Sequence, residues 1–143
     1  MKRSGALDGL RLLVVEDEYF IAVDTIDKLE AEGAIIVGPA ATVEDALALL
    51  AEGAPDGAVL DLNLAGDKSF TVADALMAQG VPLVFVTSYG AEAIPGRYAS
   101  VQRCGKPIDI VAVANGLLKS RHPGPQVRPN RSDRPGPSTG SAR

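Results

Sequence analysis

Short apolar runs recur along the first two thirds of the chain, at Leu12–Val15, Ile35–Val37, Ala58–Leu60 and Leu83–Val86. The first and last are nearly continuous, as strands buried on both faces are. Ser100–Cys104 is a weaker fifth strand, identified mainly by its position. Between these runs the period changes to that of a helix. Phe20–Glu32 places Ala22, Ile26 and Leu29 on one face and ends at Gly33, a residue suited to a C-terminal cap. Thr42 is placed to cap a second helix running to about Ala51, with Glu44 and Asp45 near its positive end. A third starts at Ser69 or Phe70, turns Val72, Ala73, Leu76 and Met77 inward and stops at Gly80. Asp109–Lys119 repeats the pattern with Ile110, Val113, Ala114 and Leu117. Pro95 and Gly96 interrupt Ala91–Tyr98, so any helix there is expected to be short or distorted.

Five strands alternating with about five helices predict an α/β, doubly wound, five-stranded parallel sheet of the flavodoxin-like kind. Each crossover is expected to be right-handed. Residues 10–120 form the predicted domain. Met1–Gly9 is short and polar and is expected to fray. Residues 121–143 read as a basic, proline-rich disordered tail.

Charge sharpens that division. Residues 1–118 hold 8 basic and 17 acidic side chains, whereas residues 119–143 hold 6 basic and 1 acidic, within a net charge of -4. The tail, with 5 of the 10 prolines and little apolar besides Val127, cannot repay its ordering entropy by burial. The acidic domain argues against nucleic-acid binding over its whole surface. One cysteine, Cys104, excludes an internal disulfide framework and a multi-cysteine zinc site. The one histidine, His122, lies beyond the predicted domain, which excludes a Ser-His-Asp triad inside it. No run approaches the roughly 18 apolar residues of a membrane span, and no signal peptide is recognisable, so a cytoplasmic location is expected.

Sheets of this kind bind ligands beyond the carboxyl ends of their strands. The first strand there supplies Glu16-Asp17-Glu18, the third Asp61, the fourth Thr87 and Ser88, and the fifth Lys106 before Pro107. Carboxylates gathered in one cleft repel one another and require a cation, a base or protons. Mg2+ fits best, since it keeps several waters and needs only one or two carboxylates plus phosphate oxygens. Pro107 holds Lys106 out of the helical region, extended at the strand end. Its ammonium is then able to pair with Asp61 at rest and with phosphate oxygens when they arrive.

The runs Leu12-Leu13-Val14-Val15-Glu16-Asp17-Glu18, Val59-Leu60-Asp61-Leu62-Asn63-Leu64, Val84-Phe85-Val86-Thr87-Ser88-Tyr89 and Lys106-Pro107, in this order, resemble the receiver domain of two-component response regulators. The resemblance covers roughly residues 10–120. It implies that Asp61 is the phosphate acceptor and that Asp17 ligates Mg2+ directly, with Glu16 acting mainly through water. It adds Asp61 itself and the Asn63 carbonyl as ligands. Thr87 and Lys106 would contact the phosphoryl group, delivered by a sensor histidine kinase or a phosphotransfer protein. Phe85–Gly90 is similar to the alphaproteobacterial subgroup with a Phe-Ala-Thr-Gly-Tyr signature. Arg103 stands where an aromatic switch residue is usual, and Ile108 where phenylalanine is common. Tyr89 is therefore a candidate moving ring, with packing beside Phe85 or Tyr98 as the alternative. Asn63 and Tyr89 are candidates for setting phosphoryl lifetime. The surface from Tyr89 to Arg103 is the expected docking face for a downstream protein or a second copy.

Three other readings compete with this one. An aspartyl-nucleophile phosphatase usually carries a second aspartate two residues on, where this chain has Asn63, which cannot transfer a proton. A nucleotide-binding module calls for glycine- or hydroxyl-rich loops where three acids stand. A receiver-like module that binds partners without phosphorylation stays open at the level of sequence.

Overall fold

The structure is a computed structural model that describes residues 5–64, 66–88 and 94–120. Tyr89 and the tail from residue 121 lie outside the described residues. The elements run β1 (Arg11–Val15), α1 (Tyr19–Ala31), β2 (Ile35–Ala40), α2 (Val43–Ala51), β3 (Gly57–Asp61), β4 (Asn63–Leu64), β5 (Asp67–Lys68), α3 (Phe70–Ala78), β6 (Leu83–Thr87), a 3-10 turn (Gly96–Tyr98), β7 (Gln102–Gly105) and α4 (Ile110–Ser120). A five-stranded sheet has the order β2-β1-β3-β6-β7, with every neighbouring pair parallel. The order starts in the middle and winds outward both ways, which is the predicted doubly wound arrangement. Among the described residues there are four α-helices and one 3-10 turn in place of about five helices.

Alternation along each central strand feeds two cores. Leu13, Val15, Leu60 and Phe85 face one side with Ala46 and Leu50 of α2 and Val72 and Leu76 of α3. Leu12, Val14, Val59, Val84 and Val86 face the other with Leu29 of α1 and Val113 and Leu117 of α4. A strand with helices on both faces has no solvated side, and this is why β1 and β6 read as unbroken apolar runs. β2 is an edge strand and leaves Ile35 54% exposed.

The helix ends follow local chemistry. The Thr42 hydroxyl accepts the Asp45 N–H at 3.0 Å, as predicted. Asp109 Oδ1 does the same for Val111 N–H at 3.0 Å. Gly33 has φ +93° and lies against the N-terminal segment, where a Cβ would come 2.7 Å from Asp8 Cα. That contact corrects the expectation of fraying for residues 5–9, the described part of the N-terminal segment. Leu7 is 0% exposed, its N–H donates to Glu32 O at 3.1 Å, and Gly9 N–H donates to Gly33 O at 2.9 Å. A single leucine among polar residues has no periodicity to reveal its burial. Met77, expected inside, is 41% exposed in the last turn of the nine-residue α3.

Leu7→Ala is expected to lower stability by about 2–4 kcal/mol, the usual cost of emptying a buried leucine site. Equilibrium denaturant unfolding measures it, and a loss below about 1 kcal/mol would show that the segment is dispensable.

Candidate functional site

The sheet register aligns the predicted residues along one edge. Val15 pairs with Leu60, so the next residues, Glu16 and Asp61, leave adjacent strands at the same level. Asp61 pairs with Val86, and Thr87 pairs with Gly105, the residue before Lys106. Main-chain bonds from Glu16 N–H to Ala40 O and from Leu62 N–H to Val86 O, each 2.9 Å, hold this edge together. The Lys106–Pro107 peptide is cis.

At the centre, Lys106 Nζ lies 3.0 Å from Glu16 Oε1 and 3.2 Å from Asp61 Oδ2. The other oxygens are bound by backbone: Glu18 N–H donates to Glu16 Oε2 at 3.1 Å and Asn63 N–H to Asp61 Oδ1 at 3.3 Å. Asp17 is exposed beside them, and Glu16, Asp17 and Asp61 offer carboxylate oxygens within 4.8 Å of one another. Glu16, Asp61 and Thr87 are each only 6% exposed.

Three carboxylates face one ammonium. Burial pushes the Glu16 carboxyl up to about 7, against the hydrogen bond from Lys106. Burial also raises Asp61, although the Lys106 charge and the Asn63 N–H pull it down. For Lys106 burial acts to lower the pKa, but the bond to Glu16 and the charges of both acids prevail and raise it. The lysine stays charged while the acids hold more proton than isolated carboxylates. The ordinary ion-pair effect is thus outweighed at both acids by the loss of water, and at Glu16 also by the Asp61 charge. An all-oxygen, carboxylate-rich set of this size suits a hard divalent cation such as Mg2+.

The structure therefore brings together Glu16, Asp17, Asp61 and Lys106, with Thr87 on the neighbouring strand end and Asn63 bonded through its N–H to Asp61. Arg103 is exposed on β7 opposite Phe85. The expected Asp61–Lys106 pair is present, whereas the equally close Glu16–Lys106 pair was not foreseen. Sequence reasoning also missed an aromatic group behind the site. Tyr98 stacks on Phe70 at 5.1 Å and meets Phe85 edge-on at 5.6 Å. Its hydroxyl bonds to Asp74, whose two oxygens accept Arg97 Nε and a second guanidinium nitrogen at 3.1 and 3.2 Å. The only signal in the sequence was the spacing of Asp74 on a helix and Arg97-Tyr98 after a proline, which carries little on its own.

No family model matches the chain. It is 38% identical to SdrG from Sphingomonas melonis Fr1, whose solution structure superposes with a TM-score of 0.69 over 81% of this chain and 98% of that one. SdrG in its BeF3-activated conformation gives a TM-score of 0.65 at 38% identity, over 78% and 97% of the two chains. The sensory transduction protein LytT of Bacillus cereus is 36% identical over 114 residues, 77% of this chain. The phyllosphere-induced regulator PhyR of Methylorubrum extorquens is 33% identical over 114 residues, 75% of this chain. The chain spans less than half of the latter two, 46% and 43% of their lengths. With its five-stranded parallel sheet and acidic aspartate pocket, the chain belongs to the receiver-domain response regulators of two-component signalling. Within them it resembles the SdrG and PhyR regulators of alphaproteobacteria. No helix among the described residues is long and apolar enough to cross a membrane.

The raised Glu16 pKa has a definite sign for stability. Protonation of Glu16 in the folded state contributes stability that is full below its ordinary value of 4.5 and lost as pH rises through about 7. With a chelator present, wild type is expected to lose about 1–2 kcal/mol relative to Glu16→Gln between roughly pH 5.5 and 7.5. Mg2+ is expected to stabilise the wild type more at the higher pH. Denaturant unfolding at both pH values checks this, and a wild type that gains stability over the variant on that rise would refute it.

Proposed function

We propose that Asp61 accepts a phosphoryl group from a sensor histidine kinase or a phosphotransfer protein in the cytoplasm. An Asp61 oxygen bonds to phosphorus as the P–N bond of the donor phosphohistidine breaks, and the departing imidazole takes up a proton. The reaction needs placement and charge compensation more than covalent assistance. Lys106, already against Asp61, is positioned to follow the charge onto a phosphoryl oxygen. Thr87 donates its hydroxyl to another, and the N–H groups of Asn63 and Leu64 are candidates for the third. Asp17, Asp61, the Asn63 carbonyl and, through water, Glu16 would hold Mg2+, which would neutralise the acids and the phosphoryl oxygens when bound. Hydrolysis reverses the bond: a water oxygen bonds to phosphorus, Asp61 leaves as carboxylate, and a proton is released.

The observation that carries this reading is Lys106 within 3.0 and 3.2 Å of Glu16 and Asp61, with Asp17 completing the oxygen cluster. The output is a change in binding. Attraction of Thr87 to the phosphoryl group biases the face from Tyr89 to Arg103, where a downstream protein or a second copy docks. Arg103 offers no ring to rotate, and Tyr89 remains the candidate for that part.

Intact mass after incubation with a small-molecule phosphodonor is expected to show one added phosphoryl group. It should require Mg2+ and vanish in Asp61→Asn. A rapidly hydrolysed adduct would still give a Mg2+-dependent spectral change with beryllofluoride. Absence of both would replace this reading with a module that binds without phosphorylation.

A further inference from the structure

The segment after the acceptor is a small built ribbon. β4 begins two residues beyond Asp61 and pairs antiparallel with β5 in the register Asn63↔Lys68 and Leu64↔Asp67, across a turn in which Gly66 takes φ +93°. Its base is clamped. Leu62 and Ser69 are 0% exposed, and Ser69 N–H donates to Leu62 O at 3.1 Å. The register sets Lys68 opposite Asn63, and Lys68 Nζ donates to Asn63 Oδ1 at 2.6 Å. An ammonium has donors only, so it fixes which edge of the amide is which: the oxygen faces Lys68 and the NH2 lies on the opposite edge. Asn63 is also the residue whose N–H touches the Asp61 carboxylate.

We propose that Lys68 is a positioning residue that lengthens the life of the phosphoryl group on Asp61 by holding the Asn63 carbonyl oxygen. This rests on Asp61 being the phosphoacceptor. For hydrolysis a water must turn a lone pair toward phosphorus, and an acceptor that takes one of its O–H groups from behind orients it so. The Asn63 oxygen is such an acceptor, and the charge-assisted bond to Lys68 takes one of its two lone pairs and turns the oxygen toward the ribbon, leaving it a poorer acceptor for the water. The amide edge opposite is a donor, which engages a water through the lone pair that attack requires. Lys68 thereby turns a group able to assist the water into one that opposes it.

The test uses the full chain, phosphorylated with a small-molecule donor and Mg2+, freed of donor and followed by intact mass. Lys68→Met is expected to shorten the phosphoryl half-life roughly three- to tenfold, the effect of one hydrogen bond. Lys68→Arg should restore it, and the unfolding midpoint should not move, since this side-chain pair is exposed. In an Asn63→Ala background, Lys68→Met should have no further effect. An unchanged half-life overturns the proposal. So does an equal change in the Asn63→Ala background, which would mean that Lys68 acts on the phosphoryl group itself. Absence of any Mg2+-dependent adduct on wild type would overturn the phosphoacceptor reading and this inference with it. A wild-type adduct with unaltered decay in Lys68→Met would overturn this inference alone.

Discussion

Lys106 stands between Glu16 and Asp61, and the sheet is arranged so that this contact forms out of water. Each partner comes from a different strand end, and parallel pairing brings those ends level. One cation shared by two buried acids, with Asp17 alongside, leaves an excess of negative charge. Such a pocket is costly in isolation and becomes favourable when a divalent cation and a phosphoryl group bind. That excess of negative charge makes the cluster consistent with the Mg2+ site of a receiver domain.

The two-core architecture makes that arrangement rigid. Residues on β1 and β3 alternate between the helical layers, so moving Glu16 or Asp61 would disturb packing on both faces. The strand exits are held by separate local contacts. On one side, Asn63 and Lys68 sit on a ribbon whose base is fixed by Leu62 and Ser69. On the other, the 3-10 turn at Gly96–Tyr98 is held to α3 through Asp74. Tyr98 lies between Phe70, which follows the ribbon, and Phe85, two residues before Thr87. Packed rings thus connect the two exits even though position 103 is an exposed arginine.

Much of this was legible in the sequence, for identifiable reasons. Strands covered on both faces are nearly uninterrupted apolar runs, and Asp61 directly follows one, so its place at the sheet edge followed from strand geometry. Thr42 and Gly33 marked helix ends through local chemistry. Contacts without a local signature were not legible. Leu7 carries no period, and Met77 fits a helical face that α3 is too short to bury. The link from Lys106 to Glu16 depends on the level at which β1 and β3 end, and the Lys68–Asn63 bond on a hairpin register that two-residue strands do not announce. The Tyr98–Asp74 bond joins residues 24 apart in sequence.

Lys106 is the counter-charge of an acid cluster suited to a divalent cation. Calorimetric titration of Mg2+ into wild type and Lys106→Met checks this when run well above the raised Glu16 value of about 7, because losing Lys106 raises that value further. Removing a cation that occupies oxygens of Glu16 and Asp61 is expected to tighten Mg2+ binding about tenfold or more. Equal or weaker binding in Lys106→Met would mean that the lysine supports the metal site instead of filling it.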